Sequence, residues 1–397
     1  MKKVLVPSVR FKGFGENWEQ GNIGEVFELT RGEVLSQRKI RSKKMGKYIY
    51  PVFSSQTLNN GLLGFYNNFL FKNSITWTTD GANAGTVLYR DGLFYATNVC
   101  GVMLQKTSIK PSSFFAHEIN VKVKKHVIKA GNPKLMINVL NDVLINFSKN
   151  KLEQEKISIL IENIDNLISI EQSKLNKLKQ LKETLLQKMF PEANSKVPRI
   201  RFKGFNEEWE EKKLENIYSF ASEGGTPDTN KDIYYKPGLF YFTKIEDMAN
   251  KYIYNTKAKI SELGLKNSSA WIIPKNNILF SNGATIGNVS INKVDLSTKQ
   301  GIVGMIIKKK FNLEFIYYLL KSENFQSKVA EKITVGTIPT VAIFNLKKIE
   351  LFLSKNIYEQ QKIGDFFSKI DILINLYQSK LNKLKQIKEA LLQKMFV

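Results

Sequence analysis

The chain has 397 residues, 43% of them hydrophobic, so it is long enough for two domains with cores of their own and too apolar to be disordered. Its formal charge of +24 at pH 7 indicates a polyanionic partner, and nucleic acid is the most general candidate, although an AT-rich genome would also raise the lysine content. The single cysteine, Cys100, excludes a disulfide framework, and no apolar run approaches the ~18 residues of a membrane span, so we expect a cytoplasmic protein without a membrane partner.

After an extended, turn-rich start, the first half of the chain reads as a mixed domain with little long helix. Short apolar or β-branched runs separated by Gly and Asn predict strands. The predicted strands cover 24–29, 48–53, 75–78, 85–89 and 98–104. We place this first domain at 1–150.

A long amphipathic helix follows, at 151–192. No Gly or Pro occurs between Leu152 and Phe190, apolar residues recur every three or four positions, and Pro191 ends the pattern. About 38 residues at 1.5 Å each span roughly 57 Å. Such a length predicts pairing with a second helix.

The second half repeats this plan, with a mixed domain at 193–355 and a long helix at 356–397. The predicted strands of this domain cover 239–243, 270–273, 278–281, 287–291 and 301–307, and a helix is predicted over 313–329. The fold class is therefore α+β, with two mixed α/β domains and two long helices.

Two pairs of segments are nearly identical in sequence. Residues 171–190 and 377–396 differ at three positions, and the opening VPSVRFKGF of the first half returns as VPRIRFKGF in the second, each followed by a tryptophan, Trp18 or Trp209. The stretches between these segments do not resemble each other. A repeated frame with two different inserts predicts one scaffold that presents two different surfaces.

The second long helix most simply returns antiparallel to the first. This predicts a coiled-coil rod with a domain at each end, an approximate two-fold axis, and a C-terminus near the N-terminus. A two-fold axis also relates the strands of duplex DNA. Two different readers would recognise an asymmetric, split site, and at ~3.4 Å per base pair the rod corresponds to roughly 17 base pairs at most.

The apolar stripe of the helices is wide, which favours a bundle of more than two helices. Polar residues interrupt it at Glu171, Lys174, Tyr377 and Lys380, either to specify the register of one helix pair or because further helices dock there. The candidate subunit-docking residues are Ile157, Ile161, Ile164, Ile168, Leu175, Ile363, Phe367, Ile370, Ile374 and Leu381.

Candidate DNA contacts are basic residues, which suit phosphates, and short amide or hydroxyl side chains, which suit base edges. Each set could equally be an ordinary solvated loop. In the first domain the candidates are Lys39, Arg41, Lys43, Lys44, Ser54, Ser55, Gln56, Asn59 and Asn83. In the second domain they are Thr226, Thr229, Asn230, Lys231, Tyr241, Thr243, Lys244 and Asn282.

The sequence shows no catalytic constellation. The two histidines, His117 and His126, have no cysteine or acidic cluster beside them that would bind a metal. The small-residue loops at 81–85 and 283–287 fit neither a phosphate loop nor a dinucleotide-binding turn. This pattern favours a recognition role.

The paired openings at 6–18 and 197–209 and the paired helices at 153–190 and 359–396 are specific enough to identify a family. Through them the whole chain resembles the specificity subunit of type I restriction-modification enzymes, and the loops at 224–227 and 281–287 resemble its target-recognition segments.

The resemblance implies two target recognition domains that bind double-stranded DNA, separated by conserved helices that dock two modification (methyltransferase) subunits. Restriction (endonuclease/translocase) subunits would join the full complex. The chain would bind no cofactor or metal itself, because S-adenosylmethionine, and ATP with Mg for restriction, are expected on the partner subunits.

Two other function classes remain open. A stand-alone DNA-binding regulator would leave the wide apolar stripe exposed to water, and a catalytic methyltransferase-recognition fusion lacks both room and motifs. A methyltransferase gene beside this one would favour the specificity subunit.

Overall fold

The computed structural model of the protein describes residues 5–55, 58–192, 195–334, 336 and 339–396. The chain forms two compact units. Unit 1 contains residues 1–172 and 380–397, and unit 2 contains residues 173–379. Because this division cuts both long helices, each unit holds part of each helix, and the four segments drawn from the sequence stay a prediction.

The elements of unit 1 precede and include the start of the first long helix. They are β1 (Glu19–Asn22), α1 (Ile23–Val26), β2 (Phe27–Arg31), β3 (Tyr50–Phe53), β4 (Leu62–Tyr66), β5 (Phe71–Thr78), β6 (Val87–Ala96), β7 (Cys100–Gln105), α2 (Ser113–Val123), α3 (Ile137–Asn141), β8 (Leu144–Phe147) and α4 (Lys151–Lys188). The predicted strand at 24–29 is half wrong. It begins as helix α1, where the Glu25 carboxylate accepts the Asn22 N–H (3.1 Å).

Six strands of unit 1 form a sheet in the order β2-β7-β5-β6-β3-β4, antiparallel except for the parallel pair of β3 and β6. Helix α2 covers one face and buries Phe114 and Phe115 with Ile75 and Trp77. Gly101 permits this packing, because a Cβ atom there would clash with the Trp77 ring. Strands β1 and β8 form a separate antiparallel pair beside the start of α4.

Unit 2 also pairs mixed α/β structure with a long helix, but its elements differ in number and order. The elements are β9 (Glu210–Lys213), β10 (Tyr218–Glu223), β11 (Phe240–Thr243), β12 (Tyr252–Ile253), β13 (Lys259–Ile260), α5 (Glu262–Lys266), β14 (Ile278–Ser281), β15 (Val289–Asn292), β16 (Leu296–Thr298), β17 (Ile302–Ile307), α6 (Leu313–Lys321), α7 (Glu323–Ala330), α8 (Ile343–Leu346), β18 (Glu350–Leu353) and α9 (Ile357–Met395). The sheets run β10-β17-β14-β15-β12 and β13-β11-β16, and β9 pairs with β18.

Two sequence predictions fail in unit 2. The single helix expected over 313–329 is two helices, because Ser322 leaves the helical conformation and its hydroxyl accepts the Phe325 N–H at the start of α7 (3.4 Å). The strand expected over 270–273 is reduced to one bridge between Ile273 and Leu296. Helix α6 packs Phe315 and its neighbours on the five-stranded sheet and forms the core of the unit.

The first long helix begins at a buried glutamate in unit 1. The Glu153 carboxylate accepts two hydrogen bonds from the Arg10 guanidinium (2.5 and 2.9 Å) and one from the Trp18 indole N–H (3.3 Å). Arg10 and Trp18 belong to the repeated opening segment. That segment therefore holds the start of the helix.

Unit 2 contains the same arrangement at the start of α9. The Glu359 carboxylate accepts hydrogen bonds from Arg201 (2.6 and 2.9 Å) and Trp209 (3.2 Å). The Ser354 hydroxyl donates a further one (2.5 Å). We call each arrangement of glutamate, arginine and tryptophan a helix clamp.

Within unit 1 the parts of the two long helices lie antiparallel. Asp165 pairs with Lys388 (2.5 Å), and Glu171, six residues further along, pairs with Lys380, eight residues back (3.0 Å). Glu171 and Lys380 are two of the polar residues that interrupt the apolar stripe. Their pairing supports the interpretation that they specify the register of the helix pair.

The end of each long helix enters a hydrophobic core. Phe396, after α9, packs in unit 1 at 6.2 Å from Trp18, and Phe190, after α4, packs in unit 2 at 6.1 Å from Trp209. The Val9 N–H donates to the Lys394 carbonyl (3.0 Å), so the C-terminal segment lies beside the N-terminal one, as predicted.

The two mixed domains share a hydrogen-bond frame that their sequences do not reveal. In unit 1 the turn between β6 and β7 is joined to three segments: Gly32 N–H to Cys100 O (3.0 Å), Thr97 N–H to Phe53 O (2.9 Å) and Thr79 N–H to Val99 O (3.3 Å). In unit 2 the turn between β16 and β17 is joined in the same way: Gly224 N–H to Ile302 O (3.1 Å), Lys299 N–H to Thr243 O (3.1 Å) and Asn282 N–H to Gly301 O (3.0 Å). The inserts therefore share this frame around the turn, although the sheets built on it differ in their strands.

Candidate nucleic-acid interface

The basic segment of unit 1 lies along the edge strand β4. Its predicted contact residues, Lys39, Arg41, Lys43 and Lys44, are all exposed. The Arg41 N–H donates to Phe65 O (2.9 Å), and the Phe65 N–H donates to Arg41 O (2.7 Å). The segment therefore presents positive charge at a fixed place on the sheet edge, which suits phosphate contacts. The contacts themselves stay a prediction.

The polar loop after β3 contributes further predicted contacts. Ser54 and Ser55 are half-buried and Asn59 is exposed, whereas Gln56 lies outside the described residues. Asn59 and Asn60 both adopt left-handed conformations, with φ of 49° and 52°, which Asn tolerates better than most residues. The Ser54 N–H donates to Gly61 O (2.9 Å) and closes the loop.

The structure brings Ser54 and Asn83 together at one cavity of about 150 Å³. Asn83 is half-buried in the small-residue loop between β5 and β6. The cavity is also lined by Arg90, Thr78 and Thr86, which sequence reasoning missed. In the sequence, the neighbours of Arg90 do not distinguish it from any other arginine on a strand.

In unit 2 the loop after β10 carries four predicted contacts. Thr226 is half-buried, and Thr229, Asn230 and Lys231 are exposed. The loop is fixed at its base, where the Gly225 N–H donates to Thr298 O (3.0 Å). The Lys231 ammonium lies 4.0 Å from the Asp228 carboxylate, an exposed pair that costs little to break.

Strand β11 and the residue after it hold three more candidates, and one of them is wrong. Lys244 is exposed and Tyr241 is half-buried, with the Lys259 ammonium 4.9 Å from the centre of its ring. Thr243 is fully buried, so its side chain cannot contact DNA.

Asn282 is also wrong as a contact residue. Its side chain is 4% exposed, and its amide donates to Val341 O (3.1 Å). The Val341 N–H donates back to Asn282 O (2.8 Å). Asn282 therefore anchors the small-residue loop of unit 2 to a neighbouring segment.

The three predicted segments of unit 2 meet at the turn between β16 and β17, through the hydrogen bonds described above. The turn adds Lys299, which is half-buried, and Gln300, which is exposed. Sequence reasoning missed both, because a Lys-Gln pair in a turn carries no signal of its own. The equivalent turn in unit 1 carries Asn98. Each unit therefore gathers several chain segments into one compact polar surface.

The predicted subunit-docking stripe is wrong as a docking surface, because most of it is buried within this chain. Ile157 and Ile161 belong to the core of unit 1, and Ile363, Phe367 and Ile370 belong to the core of unit 2. Ile164, Leu175 and Leu381 are buried as well, and Ile168 and Ile374 are half-buried. The spacing of the apolar residues correctly predicted that this face of the helices is buried. It did not predict that the cores of the chain itself bury it.

A different apolar set on the helices is exposed. It includes four pairs at equivalent positions, with exposed fractions between 41% and 72%: Leu152, Leu167, Ile170 and Ile387 in unit 1, and Tyr358, Leu373, Leu376 and Leu181 in unit 2. Ile159, Ile357 and Ile372 are exposed as well, but their counterparts are polar. The two sets occupy equivalent positions of the repeated helix sequence. We call them the exposed apolar faces. Exposed apolar side chains that recur at equivalent positions of the two helices are candidates for interaction surfaces.

The sequence matches the type I restriction modification DNA specificity domain twice, over residues 15–180 and 206–386. The chain belongs to this family. Both matched segments include an entire mixed-domain insert and most of a long helix. This agrees with the shared hydrogen-bond frame of the two units.

Relatives in the family match large parts of the chain. A Mycoplasma pneumoniae protein described as a type I specificity subunit is 28% identical over 306 residues, which covers 76% of this chain and 77% of that protein. A type I restriction enzyme specificity subunit of Methanocaldococcus jannaschii is 32% identical over 194 residues, 48% of this chain and 44% of that one.

Solved structures share the fold. The S subunit of a type I restriction-modification system from M. genitalium has a TM-score of 0.65 at 18% identity, with 99% of both chains covered. The predicted fold class is therefore confirmed, with two mixed α/β domains and two long antiparallel helices. In the described part of the chain, no helix combines the length and the apolar composition that crossing a bilayer requires.

Proposed function

We propose that this chain chooses the DNA sequence on which a type I restriction-modification complex acts, and that each mixed domain reads one half of a split site. The observation that carries the proposal is the double family match over two inserts that share a frame but expose different side chains. Equal frames suit equivalent positions on two DNA strands, and unequal side chains suit unequal half-sites.

Charge supports DNA as the partner. The chain carries a formal charge of +24, and its exposed lysines and arginines gain affinity when they release counterions from phosphates. The two long helices, of 38 and 39 residues, would connect the readers and set the spacer between the half-sites. We assign no reaction to the chain itself.

The exposed apolar faces support two copies of a partner. Each face is repeated at equivalent helix positions, so two like subunits can dock in equivalent ways. We assign these partners as modification (methyltransferase) subunits, to which restriction subunits add in the full complex. S-adenosylmethionine, and ATP with Mg, would bind to those partners, and the complex would act in the cytoplasm. A stand-alone regulator would leave both faces in water.

The test is to co-express the chain with its methyltransferase partner in a host without DNA methylation and to map methyladenine by sequencing. We expect methylation at one asymmetric, split sequence. Exchange of residues 20–150 for the matching segment of another specificity subunit should change one half-site and leave the other intact.

Three results would oppose the proposal. The first is an absence of methylation when both subunits are present and folded. The second is a change in both half-sites after the exchange. The third is sequence-specific DNA binding by the chain without any stable partner, a result that would favour the stand-alone regulator.

A further inference from the structure

The cavity lined by Arg90 lies on the sheet face of unit 1 that is opposite helix α2. Thr76 and Thr78 point to this face, whereas Ile75 and Trp77 point to the core under α2. Because Thr86 lines the cavity and is exposed, the cavity reaches the surface. Its volume is about 150 Å³, several times the ~30 Å³ of one water molecule and below the ~300–1,000 Å³ of a drug-sized site.

The Arg90 guanidinium is held firmly in this cavity. Its Nε donates to the Thr76 hydroxyl (3.0 Å), and its Nη2 donates to Asn60 O (2.7 Å). The guanidinium carbon lies 3.7 Å from the centre of the Phe53 ring, a cation–π contact. These contacts fix one edge of the guanidinium and leave Nη1 without a hydrogen bond in the described part of the chain.

The charge of Arg90 is not balanced by a neighbouring carboxylate of the described residues. Among the described residues no carboxylate forms an ion pair with it, and burial lowers the pKa of its guanidinium to about 10, so it stays charged at neutral pH. Cys100 also lines the cavity, but burial raises the pKa of its thiol to about 11, so it is neutral. A desolvated charge without a partner is costly, which points to a partner from outside the chain.

The remaining lining is rich in hydrogen-bond donors. The hydroxyls of Ser54, Thr78 and Thr86 and the amide of Asn83 make no hydrogen bond in the described part of the chain. Hydroxyls, an amide and a guanidinium around a cavity of this size suit a group with several acceptor oxygens and negative charge.

The geometry points to a site for one phosphate group, occupied by a phosphodiester of the bound DNA backbone. This inference rests on the proposed function, since it names the part of the DNA that unit 1 holds. The basic segment 37–47 lies at the edge of the same sheet and would follow the same backbone. Unit 2 lacks the site in its described residues, because the corresponding sheet face is filled by apolar side chains, including Met248, Ile273 and Leu279.

The experiment measures the binding of the complex with its methyltransferase partner to a duplex that carries the mapped site, at several salt concentrations. Arg90→Met should weaken binding roughly tenfold, as expected for a lost charged hydrogen bond. It should also reduce the slope of log affinity against log salt by about 0.9 and leave the methylated sequence unchanged. Arg199→Met, which removes an exposed arginine paired with Glu192 in unit 2, is the matched control and should change neither quantity.

A second variant protects the test against misfolding. Thr86→Asp places a carboxylate at the exposed mouth of the cavity, where it should pair with Arg90, repel a phosphate and lower the salt slope in the same way. Inorganic phosphate distinguishes the sources of the group. Millimolar phosphate could raise the melting temperature of the unmodified chain and not that of the Arg90→Met variant. If the same substitution left DNA binding unchanged, the site would belong to free phosphate, and the DNA contact would be overturned.

Two other results would also overturn the inference. One is an unchanged affinity and slope in both variants. The other is lost discrimination at a single base pair with an unchanged slope, which would make Arg90 a reader of a guanine edge. Because unmodified protein is assayed in parallel, a failure of the proposed function would appear separately, as an absence of specific binding before any substitution.

Discussion

At the scale of single residues, the repeated opening segments find their explanation in the helix clamps. Burial by itself raises the pKa of Glu153, but hydrogen bonds from Arg10 and Ser148 and the charge of Arg10 lower it below its usual value. Glu153 therefore stays ionised at the positive end of α4, where a carboxylate also favours the helix dipole. The arginine and the tryptophan are repeated because each half has such a helix start to hold.

Arg10→Ala should destabilise unit 1 by about 3–5 kcal/mol, because it leaves the Glu153 carboxylate buried and unpaired. Since the pKa of Glu153 is lowered in the folded state, the pairing stabilises the protein above the ordinary Glu pKa, and this stabilisation is lost as the pH falls. The difference between variant and unmodified protein should therefore shrink in acid. Urea unfolding at neutral and acidic pH measures both effects.

Arg199→Ala is the control for this prediction. Arg199 pairs with Glu192 at 2.7 Å, but both side chains are more than half exposed, and such pairs contribute ~0–1 kcal/mol. Equal destabilisation by the two substitutions would show that the clamp adds nothing beyond a surface ion pair.

Sequence reasoning could not separate contact residues from anchoring residues at this scale. Thr243 and Asn282 have the same chemistry as the exposed Thr229 and Asn230, and only the fold decides which side chains face inward. The clamp glutamates were missed for the same reason. A glutamate near a helix start looks like an ordinary solvated residue until its partners, more than a hundred positions away, are known.

At the scale of elements, the long helices were the most predictable feature. The predicted bounds, 151–192 and 356–397, agree within a few residues with Lys151–Lys188 and Ile357–Met395, because a long apolar period without Pro allows little else. The face available to partners was predicted wrongly. Periodicity predicts that a stripe is buried, but it does not tell whether a partner subunit or the chain itself buries it. In this structure the chain's own cores bury it.

The exposed apolar faces make a stoichiometric prediction. Leu167→Asp with Ile170→Asp should abolish docking of one partner subunit, because each buried leucine or isoleucine contributes about 1.5–3 kcal/mol and the aspartates would need to be desolvated. The second face is untouched. Native mass spectrometry should therefore show one partner copy per chain where the unmodified chain binds two.

The equivalent substitutions in α9, Leu373→Asp with Leu376→Asp, should give the same loss of one copy, and all four together should leave the chain without partners. Ser169→Asp with Ser173→Asp adds the same charge at exposed polar positions on another side of α4 and should leave both copies bound. Two bound copies in all variants would show that the partners dock elsewhere.

At the scale of the whole molecule, the hydrogen-bond frame shared by the two mixed domains could not be predicted from the sequence. The frame is made of main-chain hydrogen bonds, which most side chains permit, so it leaves little trace in the sequence beyond an occasional glycine. Gly32 and Gly224 are such positions, because a Cβ atom on either would clash with backbone of the neighbouring turn. The repeat is visible in the opening segments and in the long helices, which meet at the helix clamps.

Val9 and Lys394 are hydrogen-bonded in unit 1, and this predicts that a circular permutant folds. A short linker from Phe396 to the N-terminal segment, with new termini opened between residues 192 and 195, breaks no hydrogen bond of the clamps or the sheets. We expect an unfolding midpoint within a few degrees of the original and the same methylated sequence.

A permutant opened at Gln172, inside α4, is the matched negative case, because it interrupts the helix and its pairing with α9. Similar stability of the two permutants would mean that helix continuity matters little. Loss of folding in the first permutant would show that the order of the segments, and not only their contacts, is required.

The way in which Phe190 and Phe396 complete the two cores has a genetic consequence. Both side chains follow the same Leu-Leu-Gln-Lys-Met sequence and pack against equivalent tryptophans, so either tail fits either core. A gene fragment that encodes only the first half would carry a tail able to close a second copy of itself. In a pair of such products, each tail would close the core of the other copy, so that a two-fold axis relates them. The pair would present two identical readers, and its target would be a palindrome. Exchange of halves between related genes would likewise create new target sequences, and the packing of each tail in its core would not change.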